Sequence, residues 1–235
     1  MLKIKILTAY PEMFPGNLKF SLIGKALNEK KFSIETINLH DFGIDERKSI
    51  DDDPFGGGPG MVIRPDVVEK ALLSISSIST NSMKIYLTPS GEPLTQHKLR
   101  IFSILEDLII LCGRFEGVDQ RAIDILKFNE ISIGDYVLTG GEIAAQVLLE
   151  GCIRLIPGVL GQPESLLDES FSNNLLEHPH FTRPKVWRDA QAKNHEVPNI
   201  LVSGNHEKIK EWRNIQSVEK TKNIRPDLFS KYKQD

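Results

Sequence analysis

Cysteine, long apolar runs and nucleotide-binding glycine signatures are all scarce in this sequence, and each shortage excludes something. Cys112 and Cys152 are its two cysteines, far apart and each in apolar company. Two such thiols build neither a disulfide framework nor a zinc cluster, and they suit a reducing cytoplasm. No stretch approaches the ~20 consecutive apolar residues of a membrane-spanning helix, so no membrane association is expected. The chain opens directly on a strand-like run, Leu2-Lys-Ile-Lys-Ile-Leu7, with no charged n-region, apolar h-region and cleavage site. No signal peptide is therefore expected. No Gly-x-Gly-x-x-Gly follows that run, which continues Thr8-Ala-Tyr-Pro-Glu-Met-Phe14. The run Gly56-Gly-Gly-Pro-Gly60 is not a phosphate loop either: no Lys-Ser/Thr follows, Pro59 removes a donor, and the pattern does not lead from a strand into a helix. Taken by itself it reads as a surface loop. A dinucleotide-dependent oxidoreductase is thus a poor fit.

The chain also lacks a strong excess of one charge, with a net of −3 over 235 residues. The distribution says more than the total. From Arg183 onward there are 12 Lys/Arg against 7 Asp/Glu, a net of +5, while residues 1–182 carry −8. A basic tail on an acidic body suits contact with a polyanion, and equally a solvated helical surface.

What is present has the composition of a globular protein, 40% hydrophobic and 26% charged, long enough for one full domain and a smaller second one. Apolar, β-branched runs at residues 4–7, 32–39, 84–87, 108–111 and 130–133 alternate with helical patterns near 21–30, 65–75, 95–105, 119–126 and 141–155. The alternation predicts a mostly parallel sheet with helices on both faces. Residues 40–60 and 157–184 fit no regular element, and connections of that length are commonly functional. A small helical tail follows, with helices over 206–222 and after Pro226, which suits a first helical turn.

In open parallel sheets ligands bind beyond the carboxyl ends of the strands. Three such ends carry unusual chemistry: Tyr86-Leu-Thr-Pro-Ser-Gly91, Leu111-Cys-Gly-Arg-Phe-Glu-Gly117 and Ile133-Gly-Asp-Tyr-Val-Leu-Thr-Gly-Gly-Glu142. Each offers glycine where backbone can approach a ligand closely. Taken singly they read as ordinary turns, and Thr139-Gly-Gly-Glu142 as a helix capping box. Together they predict one pocket lined by backbone amides and carbonyls, suited to the edge of an adenine.

Six runs go further. Asp52-Asp-Pro-Phe-Gly-Gly-Gly-Pro-Gly-Met61, Leu111-Cys-Gly-Arg-Phe-Glu-Gly-Val-Asp-Gln-Arg121 and Glu130-Ile-Ser-Ile-Gly-Asp-Tyr-Val-Leu-Thr-Gly-Gly-Glu142 resemble the TrmD family, bacterial tRNA (guanine-N1)-methyltransferases of the SPOUT superfamily. Arg154-Leu-Ile-Pro-Gly-Val-Leu-Gly161, His178-Pro-His-Phe-Thr-Arg-Pro184 and Ser203-Gly-Asn-His206 continue the resemblance in family order. It implies a SPOUT-type α/β fold, with a mostly parallel sheet and a deep trefoil knot that ordinary chain-threading rules predict against. It implies a methyltransferase domain over 1–160, a linker over 161–183 and a C-terminal helical tRNA-binding domain over 184–235. It also implies a homodimer with active sites at the interface, S-adenosylmethionine as co-substrate, and methylation of the guanosine at position 37 of tRNA. The cofactor contacts carried over are Tyr86, Leu87, Pro89, Gly113, Glu116, Ile133, Gly134, Asp135, Tyr136, Val137, Leu138, Gly140 and Gly141. Magnesium is implied as well, without a recognisable ligand cluster; His178 and His180 resemble a metal pair only superficially.

The chemistry sets its own demands. Guanine N1 is a poor nucleophile while protonated, so a carboxylate is needed near N1 and a cation or donor near O6. The resemblance assigns the second role to Arg154. The family's base is the Asp of an Asp-Ser-Phe motif, but this chain reads Leu167-Asp168-Glu169-Ser170-Phe171. Glu169 stands in that column, with Asp168 the alternative if the register shifts. The upstream loop departs too, reading Glu46-Arg-Lys-Ser49 where the family often has Lys-His-Arg. A non-catalytic RNA-binding protein and a ribose 2′-O methyltransferase are the competing readings.

Overall fold

A computed structural model describes residues 1–161 and 169–232. The chain divides into two compact units, Met1–Gly161 and Gln162–Asp235.

The first unit is built on five strands: β1 (Leu2–Thr8), β2 (Phe32–Asn38), β5 (Ser82–Pro93), β6 (Asp107–Cys112) and β7 (Asn129–Ser132). They form one parallel sheet in the order β2-β1-β6-β5-β7. Five helices connect them: α1 (Ser21–Asn28), α2 (Pro65–Leu73), α3 (Gln96–Ser103), α4 (Gln120–Leu126) and α5 (Gly141–Ile153). Both faces of the sheet are covered, which is why the strands read as continuous apolar runs.

Side chains alternate between the two faces with the period of two that a strand imposes. In β6, Leu108, Ile110 and Cys112 join one core cluster while Ile109 and Leu111 join the other. The first cluster packs against Ile23 and Ala26 of α1, Leu99 and Phe102 of α3, and Leu148 and Leu149 of α5. The second packs against Val67, Val68 and Ala71 of α2 and Ala122 and Ile123 of α4. At the amino end of β6, Asp107 pairs with Lys5 of β1 at 2.8 Å, both buried, and accepts from the Ser79 amide. That pair fixes the edge of the sheet away from the strand ends that matter below.

The region 40–60 is more ordered than its composition suggests. A 3₁₀ turn, Leu39–Phe42, opens it, and the short strand β3 (Asp51–Asp52) pairs antiparallel with β4 (Val62–Ile63). Ile50 is fully buried and Arg64 bridges Asp52 and Asp66, so the apolar anchor and the ion pairs lie at the loop's base. A polar loop with one buried isoleucine carries too little periodicity to announce this.

The second unit contains α6 (His206–Ile224), α7 (Pro226–Tyr232) and a hairpin of β8 (Val186–Arg188) with β9 (Asn194–Glu196). Asn205 caps α6 by accepting from the Lys208 amide, and Pro226 begins α7. Buried Thr221 donates to the Ser217 carbonyl and accepts from the Leu176 amide, which ties α6 to the segment before it. Among the described residues no helix is long and apolar enough to cross a membrane.

Candidate active site

The carboxyl ends of β5, β6 and β7 meet at one edge of the sheet and enclose a cavity of about 220 Å³. Strand β5 pairs with Ile131 of β7 twice, through Leu87 and again through Glu92, so residues 88–91 bulge out between the two contacts. Gly91 permits this because a β-carbon there would fall on the backbone of Glu130 and Ile131.

Tyr86 lies against the cavity and is almost completely buried, and burial pushes its phenol pKa up. Its ring explains two glycines. A β-carbon on Gly113 would meet the ring at 2.9 Å, and one on Gly117 would meet the hydroxyl at 3.1 Å, with Gly117 also at φ +121°. Gly141 allows the start of α5 to approach β6: a β-carbon there would sit 2.8 Å from Cys112 Cα, and the Gly141 amide donates to the Gly113 carbonyl. These close approaches leave backbone polar groups, rather than side chains, facing the cavity.

Behind the lining sits a buried polar network. Glu142 is fully buried (0% exposed). It accepts from the Thr8 hydroxyl at 2.8 Å, and its other oxygen stands 2.9 Å from Arg114 Nε, off the line of the N–H bond. The Arg114 guanidinium lies over the Tyr10 ring at 4.3 Å and reaches the Thr139 carbonyl. This corrects the capping-box reading of Thr139–Glu142. The N-cap is Gly140, with no side-chain cap, and Glu142 serves Thr8 and Arg114 instead. A buried carboxylate gains more from a cation and a hydroxyl than from an amide it could reach only by leaving them.

Of the cofactor contacts expected from the sequence, Tyr86, Leu87, Pro89, Gly113, Glu116, Ile133, Gly134, Tyr136, Val137, Leu138, Gly140 and Gly141 all line this cavity. Asp135 does not; it is exposed at the crest of the turn, where a carboxylate stays solvated at least cost. The lining also includes Arg114 and Phe115, which sit inside a run already singled out, and Ala144 one turn into α5. Only the helical period, which returns residue 144 to the face of residue 141, could have suggested the last.

The glycine-rich loop borders the same place. A β-carbon on Gly60 would fall on the Glu116 side chain, and the Glu116 amide donates to the Met61 carbonyl. Gly56, Gly57 and Gly58 have open space around them at positive φ, and Phe55 beside them is 98% exposed.

Arg154 is half-buried at the C-cap of α5, outside the cavity lining. Glu169 belongs to the second unit, where it lines a separate, wider cavity with His178, His180, Lys210 and Arg213. Asp168 lies outside the described residues. His180 pairs with Glu177 at 2.9 Å and its ring meets that of His178 at 4.7 Å. No group of three or more His, Cys, Asp or Glu among the described residues could hold a metal ion. The described residues therefore offer magnesium no cluster of ligands.

An α/β unit with a parallel sheet and a glycine-lined cavity at three strand ends defines a small-molecule-binding enzyme fold of the nucleotide-handling kind. A sequence model of the family described as tRNA (Guanine-1)-methyltransferase TrmD matches residues 2–231. A Rhodospirillum rubrum protein named tRNA (guanine-N(1)-)-methyltransferase is 50% identical over 231 residues, covering 98% of this chain and 94% of that protein. Proteins of the same name from Ehrlichia canis and a Wolbachia strain of Culex pipiens are 47% and 48% identical, over 97% of this chain and 95% and 97% of theirs. The chain belongs to the TrmD family, and its α/β fold is the SPOUT fold of that family.

Proposed function

We propose that this protein transfers a methyl group from S-adenosylmethionine to N1 of the guanosine at position 37 of tRNA, beside the anticodon. Family membership over nearly the whole chain supports the reaction. The observation that carries it within the structure is the cavity at the ends of β5, β6 and β7, lined by nearly the whole set of expected cofactor contacts. Backbone amides and carbonyls on the Gly113, Gly134 and Gly140 loops suit an adenine edge, and Leu87, Ile133 and Leu138 supply apolar walls. When bound, S-adenosylmethionine supplies an electrophilic methyl group on a sulfonium.

The rest falls to the chain's own residues. Glu169 takes the proton from guanine N1, with Asp168 as the alternative. Arg154 holds positive charge beside O6, where negative charge gathers as N1 loses its proton. The basic tail from residue 183 provides phosphate contacts, so tRNA affinity falls steeply with salt.

The active form is a homodimer with its sites at the interface. Ala144 is the last α5 residue lining the cavity, and Arg154 follows ten residues later, about 15 Å along the helix axis at ~1.5 Å per residue. That is beyond the reach of an arginine side chain, which supports Arg154 serving the cavity of a second copy. Ile143 and Val147, one turn apart on α5 and each 49% exposed, offer the apolar stripe such a copy would cover. The setting is cytoplasmic, in keeping with two buried free thiols.

Incubation with methyl-labelled S-adenosylmethionine and bulk tRNA, followed by digestion to nucleosides, tests the reaction. Label in 1-methylguanosine is expected; label in a 2′-O-methylated nucleoside, or none, contradicts the proposal.

A further inference from the structure

The β8–β9 hairpin was not legible in the sequence and has no part in the cofactor cavity. Its main-chain ladder runs beyond the strands themselves: the Val197 amide donates to the Lys185 carbonyl at one end and the Asp189 amide to the Lys193 carbonyl at the other. Trp187 lies directly opposite His195, so the two side chains share a face. Their rings are 5.3 Å apart at 31°. By the period of two, Lys185 and Lys193 fall on that same face, one on either side of the ring pair.

Two observations set this hairpin apart from a simple structural ornament. All six residues of its two strands are exposed, and Trp187, at 58%, is unusually exposed for so large an apolar ring. It is nonetheless firmly organised. Asp189 accepts from the amides of Gln191 and Lys193 and stands 2.7 Å from His195 Nε2, and Arg188 Nε donates to the Ala192 carbonyl. The hydrogen bond from His195 holds the Asp189 carboxyl below its usual range. Ala192 is kept at φ +64°, a left-handed conformation that only a well-tied turn imposes on an L-residue. The Asp189 charge is thereby engaged within the turn, while Lys185 and Lys193 are both exposed.

We infer that the Trp187–His195 face is a stacking platform for an unpaired nucleobase of the bound tRNA, flanked by lysines that contact the adjoining phosphates. The inference rests on the reading that tRNA is the substrate. It adds a further contact for that RNA within the second unit. Exposed aromatic faces beside cationic side chains are what single-stranded RNA requires, since every base has a π-face and every linkage a charge. A preorganised pair of rings loses little entropy on receiving a base.

The chain has two tryptophans, Trp187 and Trp212, so a Trp212→Phe protein reports on Trp187 alone. In the full-length protein, tRNA is expected to quench that emission, and an RNA stem–loop with unpaired bases to quench it more than a fully paired duplex of equal charge. Trp187→Ala should weaken tRNA binding about 10- to 100-fold, as loss of one base stack does, with S-adenosylmethionine affinity unchanged. Trp187→Phe, which keeps an aromatic face, should stay within about threefold of wild type. Unquenched emission, equal quenching by the duplex, or unchanged tRNA affinity in a Trp187→Ala protein that still methylates overturns the platform alone. Loss of the oligomeric state in Trp187→Ala makes the hairpin a contact between copies and overturns it too. A wild-type protein that binds no tRNA at all overturns the functional reading with it.

Discussion

The Arg114 side chain occupies the space that a β-carbon on Gly140 would need. Gly140 has an extended backbone, φ 179°, which any residue adopts, so this contact alone demands glycine there. Arg114 is in turn fixed by Glu142 beneath it and Tyr10 above it. The turn from Ile133 to Gly140, which supplies much of the cavity wall, is thus buttressed by a side chain from the neighbouring strand end.

Gly140→Ala should therefore weaken S-adenosylmethionine binding, since overpacking a tight contact costs about 1–3 kcal/mol. Adding Arg114→Ala removes the collision, so the double variant should lose less than the two single losses combined. Calorimetric titration of all three variants measures this, and strict additivity would contradict the contact.

The two thiols should be inert in the native protein. Burial pushes the Cys152 thiol up to about 12, and burial reinforced by the Glu142 charge pushes Cys112 well above its usual value. Only the thiolate reacts, so iodoacetamide at pH 8 should leave both unmodified and alkylate both after unfolding in urea. Mass spectrometry counts the adducts; rapid native labelling of either would show that its environment opens.

Both the successes and the failures of the sequence reading have physical causes. The five strands were legible because burial on both faces leaves unbroken runs such as Leu108–Leu111, and α2 because Val67, Val68, Ala71 and Leu72 recur on one face. The cavity was legible because its glycines cluster at three strand ends. The order β2-β1-β6-β5-β7 was not, since no local pattern records which strands become neighbours. Glu142 was misread because a Thr-x-x-Glu spacing looks the same whether the carboxylate turns back to an amide or inward to Thr8. The β8–β9 hairpin was missed because its residues are all exposed, which removes the alternation that marks a half-buried strand.

The carboxylate that serves as base can be assigned by substitution. Glu169→Gln should lose about 10²–10⁴ in turnover, while Asp168→Asn should lose little. Raising the pH should partly rescue Glu169→Gln, because hydroxide ionises guanine N1 without help. Glu169→Asp should remain active. A dead Asp168→Asn beside a near-normal Glu169→Gln would move the assignment by one residue.

Arg154→Ala should lower turnover about 10²–10³-fold with cofactor affinity nearly unchanged. If Arg154 serves a partner's cavity, as proposed, Arg154→Ala and Gly141→Ala subunits should complement each other. Gly141→Ala pushes the start of α5 off Cys112 and spoils its own cavity. A purified heterodimer then keeps one intact site of two and should show about half of wild-type activity. An inactive heterodimer would mean that Arg154 acts on the cavity of its own chain.

The proposed reaction methylates N1 of the guanosine at position 37 of tRNA. Two transcripts of one tRNA, differing only in carrying guanosine or adenosine at position 37, test it most directly. With methyl-labelled S-adenosylmethionine, the first should gain one label per molecule, recovered as 1-methylguanosine from the fragment containing position 37, and the second should gain none. Equal labelling of both transcripts, or recovery of the label in any other nucleoside, would contradict it.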